Sequence, residues 1–138
     1  MLSPSRSDAL EGFLNWLERM DGEGRVFISV VAIHEIEKGI ALLAQKGARA
    51  KAANLKIWLG GLVANYADKI IPFDTSAAAL AGRLEAKAIS AGYDPGMADA
   101  MVAGIAKAYE LRIVTLNTKH FLPFEIDVVS PSEAVQLG

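Results

Sequence analysis

Cysteine is absent from the 138 residues. The chain therefore carries no disulfide framework, no thiolate zinc site and no cysteine nucleophile. Histidine occurs only at His34 and His120, which leaves little scope for an imidazole-based metal centre. Any metal would be a hard, oxygen-liganded ion such as Mg²⁺ or Mn²⁺. No run of about 20 apolar residues is present to span a membrane. The opening MLSPSRSDALEG lacks the apolar stretch of a signal peptide, so the expected compartment is the cytoplasm. Positive charge is not in excess either, with 14 Lys and Arg against 16 Asp and Glu, a net charge of −2. That excludes a broadly basic nucleic-acid coat and a polybasic membrane tether, leaving room for a local patch only.

What is present is the composition of a folded domain: 52% hydrophobic and 22% charged residues. The length corresponds to one domain spanning 1–138. A first helix is expected over about Ala9 to Met20, capped by Ser7 or Asp8, with Leu10, Phe13, Leu14 and Leu17 on one face. Asp21–Arg25, with two glycines, breaks it. The β-branched run Val26–Val30 suits a strand of a parallel sheet buried on both faces. Helical spacing then takes over, with Ile33, Ile36, Ile40 and Leu43 on one stripe as far as Gly47. Leu55, Leu59, Leu62 and Val63 mark a helix over Arg49–Tyr66. Further strands are expected at Ile70–Phe73, Arg112–Leu116 and Ile126–Val129. An alanine-rich helix capped by Asp74, Thr75 or Ser76 and a helix over Met97–Glu110 lie between them, separated by the turn Gly92–Gly96. Asn117–Pro123 is expected to be a loop. Strands alternating with helices specify an α/β domain around a mostly parallel central sheet.

In such sheets ligands bind beyond the carboxyl ends of the strands. Three segments carry oxygen-bearing side chains there. Glu35 follows the first strand, Asp99 opens the helix before the third, and Asn117 and His120 follow that strand. Each residue alone has an ordinary structural explanation. A carboxylate in a helix's first turn meets the macrodipole favourably, an asparagine suits a turn, and a histidine suits a loop. Together, acidic groups converging from separate segments repel unless a cation neutralises them, which points to a divalent metal. Glu35 and Asp99 are expected close enough to share one ion, with Asn117 beside them. Lys46, Arg49, Lys51 and Lys56 read as a solvated helical face.

Three stretches carry a family resemblance. FISVVAIHEIEKGI (Phe27 to Ile40), DAMVAGIAKAYELRIVTLNTKHF (Asp99 to Phe121), and IIPFD with the alanine-rich helix after it resemble the PIN-domain family, specifically the toxins of VapBC- and FitAB-type toxin–antitoxin pairs. The resemblance implies a three-layer α/β/α fold and Mg²⁺- or Mn²⁺-dependent endoribonuclease activity. It also implies a small DNA-binding antitoxin as partner, RNA as substrate, and a homodimer. Glu35 and Asp99 match acidic metal-site positions. Asn117 stands where some relatives have aspartate and still offers a carbonyl oxygen. Thr115 supplies a supporting hydroxyl, and His120 takes a position often held by aspartate.

The sequence departs from the family pattern at its front. The family opens with a strand ending in a motif like L-D-T-N-V-L-S, whose aspartate is the first metal ligand, whereas this chain begins Met1-Leu2-Ser3. The expectation is a PIN-like domain shortened at its N-terminus, lacking the strand between Val26–Val30 and Ile113–Leu116. Met1–Ser5 or a swapped partner strand would then fill the gap. The rival to the ribonuclease reading is a catalytically impaired PIN-fold module that only dimerises or binds an antitoxin.

Overall fold

Serine and aspartate side chains set where three of the helices begin. The structure is a computed structural model that describes residues 6–137, with side chains from Asn15 onward. Helix α1 spans Arg6–Gly22. The side chains of its expected caps, Ser7 and Asp8, and of Leu10, Phe13 and Leu14 lie outside what is described, as do residues 1–5 altogether. Strand β1 (Ile28–Ser29) leads directly into α2 (Val30–Gln45), because the Ser29 hydroxyl accepts the Ala32 N–H at 3.0 Å and caps the helix. Helix α3 spans Arg49–Asn65, and β2 is Ile70–Ile71. Asp74, among the three candidate caps, starts α4 (Thr75–Ser90) by accepting the Ala77 N–H at 2.9 Å. Helix α5 (Met97–Ala108), β3 (Ile113–Val114), β4 (Val128–Val129) and α6 (Pro131–Leu137) follow.

The chain is a mostly helical α/β fold whose strands pair in parallel, Ile28 with Ile70 and Ile113 with Val128. Two details differ from expectation. Each strand is only two residues long, and the strands form two separate pairs, β1–β2 and β3–β4. A strand with a neighbour on one side has half the ladder bonds to hold it extended, which shortens it. Among the described residues, nothing pairs with the second edge of β1 or of β3.

One segment expected to be a loop is ordered, and a further helix follows β4. Thr118–Phe124 is a 3₁₀ helix, because Phe121 and Phe124 turn inward and are buried against Ala88, Ala100 and Ala103. Helix α6 starts with a reciprocal capping box. Glu133 N–H donates to the Ser130 hydroxyl at 3.2 Å, while Ser130 N–H donates to the Glu133 carboxylate at 3.0 Å.

Three buried clusters hold the layers together. Ile40, Ala52 and Leu59 lock α2 to α3, joined by Ile36, Leu43, Leu55, Leu62 and Val63, which is the pair of stripes the spacing specifies. Ala88, Ala100, Ala103 and the two phenylalanines join α4 and α5 to the 3₁₀ segment. Val31, Ala77 and Ile105 tie the start of α2 to α4 and α5. Glycine at 104 is required by the α4–α5 approach. A Cβ there would lie 2.5 Å from the Ala77 carbonyl oxygen and 2.7 Å from the Ala81 Cβ.

Candidate active site

Asp99 is the third residue of α5, one turn from the Gly96 that precedes the helix. A carboxylate in this first turn stands at the positive end of the helix dipole. The 3₁₀ segment after β3 brings His120 to it, with Nδ1 of His120 3.6 Å from Oδ2 of Asp99. A cavity of about 310 Å³ opens beside the pair, lined by Asp94, Lys119 and His120 among others. Asp94 and Lys119 were not singled out by the sequence. Their neighbours mark only a turn and a loop, and it is the 3₁₀ winding that places Lys119 on the cavity that Asp99 also lines.

Glu35 is the sixth residue of α2, not a first-turn residue, so the helix macrodipole does not account for it. It lies one turn beyond buried Val31 on the same face, and the cluster around Val31 includes Ala98 and Met101, which flank Asp99 on α5. The Glu35 carboxylate is engaged on its own helix. Lys38 Nζ is 3.2 Å from one oxygen and His34 Nδ1 is 3.4 Å from the other. All three side chains are well exposed, so these contacts are weak and a divalent cation competes with them readily. Asn117 follows β3, and its N–H donates to the Thr115 hydroxyl at 3.1 Å. Its carbonyl oxygen accepts the His120 N–H at 3.1 Å, which fixes the turn that presents His120 to Asp99.

The structure thus brings Asp99 and His120 together and links Thr115, Asn117 and His120 in one turn. It sets Glu35 among α2 neighbours. Among the described residues, no group of three or more Asp, Glu or His side chains is placed to hold a metal ion together. The carboxylate donors beside the open cavity are those of Asp94 and Asp99. They suit a hard ion that keeps most of its water, since Mg²⁺ is commonly held by one or two carboxylates.

The fold and this corner have counterparts among known proteins. A family model described as PIN domain matches residues 2–122. The chain belongs to the PIN domain family. This PIN domain is 27% identical over 128 residues to toxin FitB of Neisseria gonorrhoeae, covering 93% of the chain and 90% of that protein. It is 28% identical over 132 residues to plasmid stability protein StbB of Pseudomonas syringae pv. tomato, covering 95% and 92%. Its fold superposes on the crystal structure of FitAcB from N. gonorrhoeae with a TM-score of 0.74 and 26% identity, over 95% of this chain and 88% of that one. FitAB bound to an IR36 DNA fragment shares the fold, with a TM-score of 0.68 at 22% identity over 94% and 87% of the two chains. Among the described residues of this PIN domain, no helix is long and apolar enough to cross a membrane.

Proposed function

We propose that residues 1–138 act as a single-domain endoribonuclease toxin of a VapBC-type toxin–antitoxin pair, cleaving RNA phosphodiesters in the cytoplasm with Mg²⁺ or Mn²⁺. The observation that carries the reading is the Asp99–His120 corner, 3.6 Å across and open to a cavity, in a chain of PIN-domain sequence. Asp99 and Glu35 would hold the ion, and Asn117 would offer its side-chain carbonyl oxygen. When bound, the ion supplies Lewis acidity and neutralises charge at the phosphate. Lys119, on the wall of the same cavity, places positive charge where a phosphodiester would lie, with the His120 imidazole beside it. Thr115 keeps the Asn117 turn in shape. With a net charge of −2, RNA is held by this local set and not by a global field.

The likeness to toxin FitB and to FitAcB supports an antitoxin as the protein partner; that the antitoxin is small and binds DNA, and that the toxin works as a homodimer, belong to the same proposal. The decisive test is cleavage of a mixed RNA substrate with Mg²⁺ or Mn²⁺ by the parent, Asp99→Asn and Glu35→Gln. Each variant should lose about 10²-fold or more, the scale of removing one preorganised electrostatic group from an active site. Their circular dichroism should be unchanged. Full activity in Asp99→Asn refutes the assignment. A second reading, a catalytically impaired module that only dimerises or binds an antitoxin, draws on the open donor set and on the Lys38 and His34 contacts to Glu35. An inactive parent that still binds antitoxin would establish that reading.

A further inference from the structure

Asp99 and Lys119 share their cavity with a tyrosine that the chemistry above leaves unused. Tyr93 lines the same space of about 310 Å³ and is 52% exposed. The other two tyrosines are engaged, Tyr66 with Asp21 and Tyr109 with Asp74. Among the described residues, neither the ring nor the hydroxyl of Tyr93 has a partner. Its backbone, in contrast, is fixed. Just beyond α4, Gly92 takes a φ of +94°, a conformation that favours glycine. This turn lets Gly92 N–H donate to the Ile89 carbonyl and Tyr93 N–H to the Ala88 carbonyl, each at 3.0 Å. Ala88 is fully buried against Ala100 and Ala103 of α5, so Tyr93 is anchored to the core that also carries Asp99. Pro95 and Pro123 line the cavity as well, and a proline has no rotamer freedom to lose when a ligand packs on it.

We propose that Tyr93 is a substrate-binding residue, its ring the platform on which the nucleobase beside the scissile phosphate stacks. The proposal rests on the ribonuclease reading of the Asp99 corner and adds what holds the substrate there. The cavity walls differ in character. Tyr93 and the two prolines are aromatic or apolar, whereas Lys119 carries positive charge. A ligand that meets both kinds of wall has a flat π-face and an anionic group a short span apart, as a nucleotide does. The cavity lies at the small end of ligand pockets, roughly 300–1,000 Å³, so it suits one base with its phosphate. Stacking on an aromatic ring accepts any base, because each has a π-face. Tyr93 therefore fixes where the RNA is held and not which base is read. An A-form duplex keeps its bases stacked on each other, so the nucleotide taken is an unpaired one.

The probe is a short single-stranded RNA, with an abasic oligonucleotide of the same backbone as control. Each is added to protein carrying 3-fluorotyrosine, in EDTA so that no metal-dependent cleavage occurs. Tyr93→Phe identifies the Tyr93 fluorine signal by its loss. The RNA should shift the Tyr93 signal and leave those of Tyr66 and Tyr109 in place, while the abasic backbone should move none of them. Tyr93→Ala should weaken RNA binding about tenfold in fluorescence anisotropy, within the range of one lost stacked base. Tyr93→Phe keeps the ring and should bind as the parent does. Both substitutions retain the N–H that bonds Ala88, so circular dichroism should be unchanged. Binding is read without metal, which separates this outcome from that of the nuclease proposal. A parent that cleaves no RNA but shows the shift refutes the nuclease reading and supports the base platform. The platform is overturned if the Tyr93 signal stays still up to millimolar RNA, or if the abasic backbone moves it equally. It is overturned equally if Tyr93→Ala binds RNA as tightly as the parent.

Discussion

Gly104 is where one added methyl group should cost the most. A Cβ at this position meets the Ala77 carbonyl oxygen at 2.5 Å, the Ala81 Cβ at 2.7 Å and the Ala81 nitrogen at 2.8 Å. Two of the three are backbone atoms of α4 and none is the end of a flexible side chain, so α4 and α5 must move apart. Overpacking of this kind costs about 1–3 kcal/mol, and contacts with backbone place Gly104→Ala near the upper end. Alanine returns about 1 kcal/mol of helix propensity. The net loss is then about 2 kcal/mol, close to 8 °C in Tm for a domain of this size. Gly82→Ala on α4 is the control. Nothing lies within 4 Å of its Cβ, so it keeps the propensity gain without the clash. Urea unfolding followed by far-ultraviolet circular dichroism should move the midpoint down for Gly104→Ala and slightly up for Gly82→Ala. A Gly104→Ala protein as stable as the parent would refute the close approach of the two helices.

Phe124→Ala should destabilise by about 3–5 kcal/mol, because Phe124 is 1% exposed at the centre of the α4–α5 cluster; thermal melts check this. Ser29→Ala should cost about 1 kcal/mol through loss of the α2 cap, measured by urea midpoint at neutral pH. The Tyr109 hydroxyl donates to Asp74, which holds the Asp74 carboxyl below its ordinary range and pushes the Tyr109 hydroxyl above its own. For a depressed carboxyl, the stability contribution is complete above the unfolded value near pH 4 and disappears as pH falls through the folded value. For a raised phenol, it is complete below about pH 10 and disappears as pH rises further. Tyr109→Phe should therefore flatten both limbs of a plot of Tm against pH, and equal slopes in parent and variant would contradict the linkage.

The helices were legible because their signals are local. Ile36, Ile40 and Leu43 share the face that packs on α3, and Asp74 caps the helix that follows it. The strands were legible in place but not in length, because extent depends on a neighbour that single-strand spacing cannot reveal. The 3₁₀ segment was hidden by polar Thr118-Lys119-His120, and it is the burial of Phe121 and Phe124 that winds it. Helix α6 did carry a signal, since Ser130 and Glu133 stand at capping-box spacing ahead of Ala134 and Val135. At the candidate site, the sequence separated out Glu35, Asp99, Asn117, Thr115 and His120, but not which of them touch. The Asp99–His120 contact joins residues 21 positions apart and follows from how α5 and the 3₁₀ segment share a core.

That division of the core has a dynamic consequence. Glu35 rides on the α2–α3 pair, which has its own buried cluster, whereas Asp99 and His120 ride on the α4–α5 unit with a different one. The two are coupled chiefly through Val31, Ala77 and Ile105. Units of this kind open with separate free energies. Releasing that single seam would part Glu35 from Asp99 while both helical pairs stayed folded. The relative placement of Glu35 and Asp99 is thus a property of docking, and slow amide exchange around Val31 and Ile105 is the signature of a chain in which the two units stay docked.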